Sequence, residues 1–310
     1  MRRISLAVVF WSAGAGLALA HGDGLPIGPY ELWHHWNFDP WVWAPLLLSH
    51  WLYGRGVMRA WARAGTGRII PKWRVGCFAA GEAVLVVALI SPLDPLGETL
   101  MSAHMGQHIL LTTIAPPLLV AGAPATAWTW AAPRRWRSWL ASKLARTARA
   151  ASNVLTQPFW ALGLHALAVW CWHAPAAFNA ALADETLHTL EHISFLSTGI
   201  LLWIAVTRPA TPPAIGALLI LATFVHSGIL GAVLTLAPAP LYAYGDRAML
   251  WGMSPLADQQ IAGLLMWAPA GLAYLAAFLV AAARIFPASV PDRRASAGIM
   301  RASTSSRSIK

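Results

Sequence analysis

Seven apolar runs follow one another along most of this 310-residue sequence. A helix needs roughly 20 mainly apolar residues to cross the hydrocarbon core of a bilayer. Only 11% of the residues are charged, whereas soluble domains carry about a quarter. The pattern predicts an all-α membrane protein, a bundle of about seven transmembrane helices. The predicted spans are residues 41–59, 73–93, 101–124, 154–174, 188–206, 214–236 and 258–285.

The N-terminus has the charged, apolar and small-residue order of a secretory signal peptide. Arg2 and Arg3 precede an apolar stretch that ends in an Ala-Leu-Ala triplet. We expect cleavage after Ala20, and the alternative is an uncleaved first membrane helix. The predicted organisation is a signal peptide at 1–20, a periplasmic segment at 21–40, the seven-helix domain at 41–286 and a disordered basic cytoplasmic tail at 287–310.

The basic residues lie almost entirely in alternate connections between the apolar runs. They cluster at 55–74, at 134–149 and in the tail, and Arg208 lies in the short fifth connection. Apart from the two arginines of the signal peptide, Arg247 is the exception. An excess of Lys and Arg is typical of loops that stay in the cytoplasm. We therefore predict a multi-pass protein of the bacterial inner (plasma) membrane, with its mature N-terminus in the periplasm and its C-terminus in the cytoplasm. The net charge of +10 thus points to membrane lipid and not to nucleic acid.

Two histidine pairs with i, i+4 spacing lie at the outward ends of the third and fifth predicted helices. His104 and His108 form the first pair, and His188 and His192 form the second. Residues four apart on a helix share a face, so two imidazoles can chelate one metal ion. Ionisable groups in membrane helices are costly and are functional candidates by default. The pattern favours a metal or cofactor site, and the alternative is a hydrogen-bonded polar layer between helices.

Further polar residues lie close to these pairs along the predicted bundle. His173 ends the fourth helix and is either a ligand or an interface residue. Asp258 begins the seventh helix, where it and Gln260 would either orient imidazoles by hydrogen bonds to them or cap the helix. Glu191, which directly precedes His192, is a candidate ligand or hydrogen-bond acceptor.

A second polar set lies near mid-membrane and consists of His50, Glu82 and His226. Their shared depth is compatible with a buried polar cluster, a proton path or a second metal site. Separate interhelical hydrogen bonds explain them equally well, and for His165 we prefer that interpretation.

Several methionines lie on or near the outer side, namely Met101, Met105, Met249, Met253 and Met266. Thioether and imidazole ligands together suit copper, particularly Cu(I). Methionine is more often packing material. The sequence has no GxSxG, phosphate loop, HExxH or CxxC motif, and we predict that the protein is not an enzyme.

Three stretches carry a family resemblance: HMGQHILLTTIAPPLLVAGAP at 104–124, WCWHAPAAFNAAL at 170–182 with HTLEH at 188–192, and PLADQQIAGLLMW at 255–267. In this order they resemble the multi-pass CtaG family of cytochrome c oxidase assembly factors, the branch associated with caa-type oxidases. The resemblance implies a membrane protein that helps deliver or insert copper, as Cu(I) or Cu(II), into a haem–copper oxidase. Its expected partners are cytochrome c oxidase subunits and periplasmic copper carriers. By motif, the implicated metal positions are His104, His108, His173, His188, His192 and Asp258.

Three rival functions remain open at this point. A haem-binding electron-transfer protein would use His108 and His192 as axial ligands. A copper or proton transporter would use His50, Glu82 and His226 as a relay. A scaffold would bind oxidase subunits without any metal.

Overall fold

The structure is a computed structural model that describes residues 26–133, 150 and 152–285. Every regular element in this part of the chain is helical, which confirms the predicted all-α class. The predicted signal peptide at 1–20, the basic stretch at 134–149 and the tail at 287–310 lie outside the described residues.

Proline begins most of the helices, because its missing N–H costs nothing in the first turn and its fixed φ suits a helix start. The helices are α1 (Pro40–Ala64), α2 (Lys72–Leu89), α3 (Leu93–Gly97), α4 (Met101–Ile109), α5 (Ala115–Ala121), α6 (Pro124–Ala131), α7 (Pro158–Trp172), α8 (Pro175–Ala183), α9 (Glu185–Thr207), α10 (Pro213–Leu236), α11 (Pro255–Trp267) and α12 (Pro269–Ala283). A π-helical turn, Leu110–Ile114, joins α4 to α5.

Three helical stretches of the described residues are long and apolar enough to cross a membrane. They are Glu185–Thr207, Pro213–Leu236 and Pro255–Ala283, and a fourth is obtained if Met101–Ala121 and Pro124–Ala131, bent by 54°, form one broken span. These four correspond to predicted spans, and they support a membrane protein. The total of seven stays a prediction.

The other three predicted spans correspond to α1, α2 and α7. The first of these helices contains Arg55, Arg59 and Arg63, which lowers its apolar character. The other two have 18 and 15 residues, so each is shorter than the roughly 20 residues that a bilayer requires.

Two consecutive prolines distort the chain between α4 and α5. Pro116 and Pro117 have no N–H, so neither can donate a helical hydrogen bond to the carbonyl four residues earlier. The π-helical turn directly precedes them, and the Thr112 hydroxyl donates to the His108 carbonyl oxygen at 2.7 Å. Such turns are frequent at functional sites, and this one follows the first histidine pair.

Helix α9 packs closely against this turn at Gly199. A Cβ atom at Gly199 would lie 2.8 Å from Cγ of Pro116 and 3.2 Å from the Thr112 carbonyl oxygen. Small residues allow such close approach between membrane helices. His192 lies about two helical turns before Gly199, and the close contact therefore brings it level with His108 of α4.

Candidate metal centre

The two predicted histidine pairs face each other across the interface of α4 and α9. Ring centroids are 4.2 Å apart in the pair His104–His108 and 4.1 Å apart in the pair His188–His192. Across the interface, His104 lies 5.1 Å from His188, and His108 lies 5.5 Å from His192. We call these four residues together with Glu191 the histidine cluster.

Glu191 lies between the two rings of the first pair and is fully buried. Its Oε2 is 3.8 Å from Nε2 of His104, and its Oε1 is 3.6 Å from Nε2 of His108. Both distances are too long for hydrogen bonds. Two donors that bind one metal ion at roughly 2.0–2.2 Å lie about 3.3–3.8 Å apart at tetrahedral to trigonal angles, and the observed separations fit that geometry.

Most polar atoms of the cluster are buried without a hydrogen-bond partner in the protein. These atoms are Nε2 of His104, His188 and His192, both ring nitrogens of His108 and both carboxylate oxygens of Glu191. An unsatisfied buried polar atom ordinarily costs about 1–3 kcal/mol. So many such atoms at one point are what a cation site requires before it is filled, so the residues fit a bound metal ion.

The ligand atoms form two overlapping sets of three. His104, His188 and His192 make one set, and His104, His108 and Glu191 make the other, with the atoms of each set within 4.8 Å of one another. His104 belongs to both sets. An ion that moves from one set to the other would therefore keep one ligand throughout.

His173 adjoins the cluster from the end of α7. Its ring centroid lies 5.5 Å from that of His108, and the residue is buried. The Tyr242 hydroxyl donates to the His173 carbonyl oxygen at 2.7 Å, which fixes the end of the helix. The position agrees with the predicted proximity of His173 to the paired histidines.

Asp258 holds α4 in place and does not face the histidines as a ligand. Its Oδ2 accepts from the Met101 N–H at 2.7 Å, and its Oδ1 accepts from the Ser102 N–H at 3.0 Å. The first N–H groups of a helix have no intrahelical partner, so a carboxylate from α11 satisfies two of them. The predicted ligand role is corrected to a capping role, and its own helix is capped by Ser254.

Gln260 points away from the site, so it does not orient an imidazole, which was one of its two predicted roles. The residue is exposed, and its neighbour Gln259 is buried. Gln259 accepts from the Leu241 N–H at 2.6 Å and donates to the Leu234 carbonyl oxygen at 3.3 Å. Successive helical residues point about 100° apart, which explains why only one of the two glutamines is buried.

The predicted mid-membrane set of three divides into two separate contacts. Nδ1 of His50 lies 2.7 Å from Oε2 of Glu82, with the histidine side chain 74% exposed and the carboxylate side chain 9% exposed. The ring of His226 lies 6.3 Å from that of His165 instead. His165 bonds through Nδ1 to Oγ1 of Thr198 at 3.1 Å, so its predicted interhelical hydrogen bond is confirmed.

Aromatic residues that the spacing did not indicate form the walls of the site. The Phe178 ring lies 5.1 Å from that of His104 and 4.1 Å from that of Tyr242. The Phe195 ring lies 4.7 Å from that of His108. Phe178 and Tyr242 come from α8 and from the connection between α10 and α11, and no periodic signal relates them to the histidines.

A cavity of about 430 Å³ leads to the cluster. Its lining includes three histidines of the cluster, His104, His188 and His192, and four acidic residues, Asp39, Asp94, Glu98 and Glu185. Asp94 accepts hydrogen bonds from Nδ2 of Asn37 at 2.8 Å and from Nε2 of Gln107 at 2.6 Å. Burial raises the pKa of Asp94 to about 7 despite these bonds. The lining combines carboxylates with imidazoles and suits the passage of a cation.

The comparisons with known proteins identify one family. A family model described as cytochrome c oxidase caa3 assembly factor (Caa3_CtaG) matches residues 51–287. An uncharacterised protein of Mycobacterium bovis is 26% identical over 281 residues, which cover 84% of this chain and 40% of that protein. One of Mycobacterium leprae is 25% identical over 253 residues, 75% of this chain and 36% of its own length. The chain thus spans at most two fifths of these relatives, and no solved structure matches it significantly.

Proposed function

This chain belongs to the cytochrome c oxidase caa3 assembly factor family, and from that membership we propose that it holds copper at the histidine cluster and passes it to a haem–copper oxidase during assembly. The observation that carries the proposal is the convergence of buried, unpartnered ring nitrogens and carboxylate oxygens at one point. Copper is the cargo here, and the chain supplies its ligands. The recipient is a subunit of the oxidase, and periplasmic copper carriers are the source.

Copper is favoured by the combination of donor set and family. Neutral imidazole binds copper as Cu(I) or Cu(II), and Cu(II) is held more strongly than zinc by a given set of nitrogen and oxygen ligands. The cluster of four histidines and one glutamate would accept zinc as well. The family's connection with cytochrome c oxidase is the reason that we propose copper and not zinc.

The proposed route begins in the acidic cavity and ends at the deepest ligands. Carboxylates in a cleft raise the local concentration of cations. His188 is half-buried, whereas His104 and His108 are each 2% exposed. An ion would first meet the set that contains His188 and then exchange ligands around His104. Release would follow the same exchange in reverse.

Neither metal-binding rival is supported by a specific observation. Axial ligands of one haem lie on opposite faces of a flat macrocycle, but His108 and His192 form an edge contact with an angle of 84° and a centroid distance of 5.5 Å. A transporter with the predicted relay would need His50, Glu82 and His226 in one chain of contacts, and His226 lies beside His165 instead.

The test is the copper content of the detergent-purified protein after loading with Cu(I). We expect near-stoichiometric copper in the wild type and at least a tenfold loss in a His104→Ala/His108→Ala variant. A His188→Ala/His192→Ala variant removes the facing pair and should lose copper as well. His50→Ala is the matched control, because that ring lies outside the cluster and is exposed.

The proposal fails if the wild type takes up no copper, or if both double variants retain it while eluting as folded protein in gel filtration. A Soret band in the purified wild type would favour the haem-binding alternative instead.

A further inference from the structure

We infer that Met105 and His173 form a soft-donor position for Cu(I) beside the histidine cluster, with His108 as the ligand that connects the two. The inference rests on the proposed copper function and adds a thioether ligand to it. Nε2 of His173 lies 3.4 Å from Sδ of Met105. Both residues are buried, and Met105 is fully so.

The hydrogen bonds of His173 determine which of its nitrogens carries a hydrogen. Nδ1 lies 2.7 Å from the Val169 carbonyl oxygen, and a carbonyl oxygen can only accept. Nδ1 therefore donates, and Nε2 of the neutral ring carries a lone pair. A second hydrogen, on Nε2, would create a charged imidazolium in a buried site, which is costly.

The contact between His173 and Met105 thus joins two lone-pair donors. Neither atom has a hydrogen to share, so the contact is not an ordinary hydrogen bond. Two donors bound to one ion at roughly 2.0 Å and 2.3 Å lie about 3.5 Å apart at a near-tetrahedral angle. The observed 3.4 Å is the separation that joint ligation of one ion requires.

His108 supplies the third donor and the connection to the cluster. Its ring lies 5.5 Å from that of His173, and neither of its nitrogens has a hydrogen-bond partner. Thioether ligands select Cu(I), whereas imidazole and carboxylate also suit Cu(II). A set of one thioether and two imidazoles is uncharged and matches a monovalent ion, while the set that contains Glu191 carries a carboxylate for a divalent one.

The experiment replaces the thioether with a hydrocarbon of similar volume. Met105→Leu is compared with Met101→Leu, a matched control on the same helix whose side chain is also buried. X-ray absorption of the Cu(I)-loaded wild type should show one sulfur scatterer at about 2.3 Å. The scatterer should vanish in Met105→Leu and persist in Met101→Leu.

Cu(I) affinity, measured by competition with bicinchoninate, should fall at least tenfold in Met105→Leu and in His173→Ala. Zn(II) affinity should change less than twofold in Met105→Leu, because zinc does not prefer a thioether. Bound copper without a sulfur scatterer, or unchanged Cu(I) affinity in Met105→Leu, would overturn this inference and leave the histidine cluster standing. A wild type that binds no copper would overturn both.

Discussion

The histidine cluster and the pair His165–Thr198 are both polar contacts between packed apolar helices, yet they satisfy their polar atoms in opposite ways. His165 bonds to a hydroxyl of the neighbouring helix at 3.1 Å. The four rings between α4 and α9 converge, and the Nε2 atom of each of them has no hydrogen-bond partner. A lone histidine on an apolar helix can be satisfied by one nearby hydroxyl. Four histidine rings that face each other need a single partner, such as a cation, that all of them can contact.

The same contrast holds for three carboxylates of the molecule. Glu191 has no hydrogen-bond partner for either oxygen. Oε2 of Glu82 contacts one histidine at 2.7 Å while its Oε1 has no partner, and Asp94 accepts from two amides. Burying an unpaired carboxylate is far costlier than burying a hydrogen-bonded one. The unpaired carboxylate of Glu191 therefore destabilises the metal-free protein, and a bound cation would supply the missing partner.

The largest effect is expected when one carboxylate in each region is neutralised. Glu191→Gln should lower copper affinity by about 10- to 100-fold, the range seen when a ligand or its direct support is lost. Glu82→Gln should change it less than twofold, because its partner His50 is exposed and lies outside the cluster. Competition with a chromogenic copper chelator measures both.

In the metal-free state, the variant that loses most copper affinity, Glu191→Gln, should have the higher melting temperature of the two. Glu191→Gln removes an unpaired buried charge and should melt at a higher temperature than the wild type. Glu82→Gln should lose at most about 1 kcal/mol, the scale of a partly exposed ion pair. A Glu191→Gln variant that melts lower and keeps its copper would show that Glu191 is a structural group.

A second, smaller effect distinguishes a residue that holds α4 in position from a residue that binds the metal. Asp258→Ala leaves two N–H groups at the start of α4 without their acceptors and should cost about 1–2 kcal/mol. Because α4 carries His104 and His108, copper affinity should fall as well, but less than in Glu191→Gln. Gln260→Ala on the same helix is the control, since that side chain is exposed. Equal melting temperatures of the two variants would contradict the capping role.

The sequence predicted the helical class and the meeting of the two histidine pairs, because both follow from local periodicity. Apolar runs of bilayer length specify helices, and i, i+4 spacing places His104 with His108 and His188 with His192 on one face. The family resemblance added the prediction of an oxidase partner. None of this required knowledge of how the helices are arranged.

The sequence did not predict features that depend on the direction of a side chain across an interface. Asp258 was placed at the right end of the bundle, but only the packing of α11 on α4 shows that its oxygens meet backbone N–H groups. Gln259 and Gln260 differ only in helical phase, which an apolar helix without clear amphipathicity does not reveal. His226 and His50 share a depth, but depth alone does not define a contact.

The smallest expected effect concerns Asp94, the carboxylate with two hydrogen bonds. Burial, with smaller contributions from the nearby Glu98 and Glu185, raises its pKa from 3.8 to about 7. The folded protein therefore binds this proton more tightly than the unfolded chain, so the stabilising contribution is complete below about pH 4 and is lost as the pH rises through 7. Between pH 6.5 and pH 8 the wild type should lose about 0.8 kcal/mol of stability, or about 2–3 °C in melting temperature, more than Asp94→Asn. Tryptophan fluorescence melts in detergent measure this difference in slope. Parallel slopes would show that the amides of Asn37 and Gln107 fully offset the burial of Asp94, unlike the burial of Glu191, whose oxygens have no such partners.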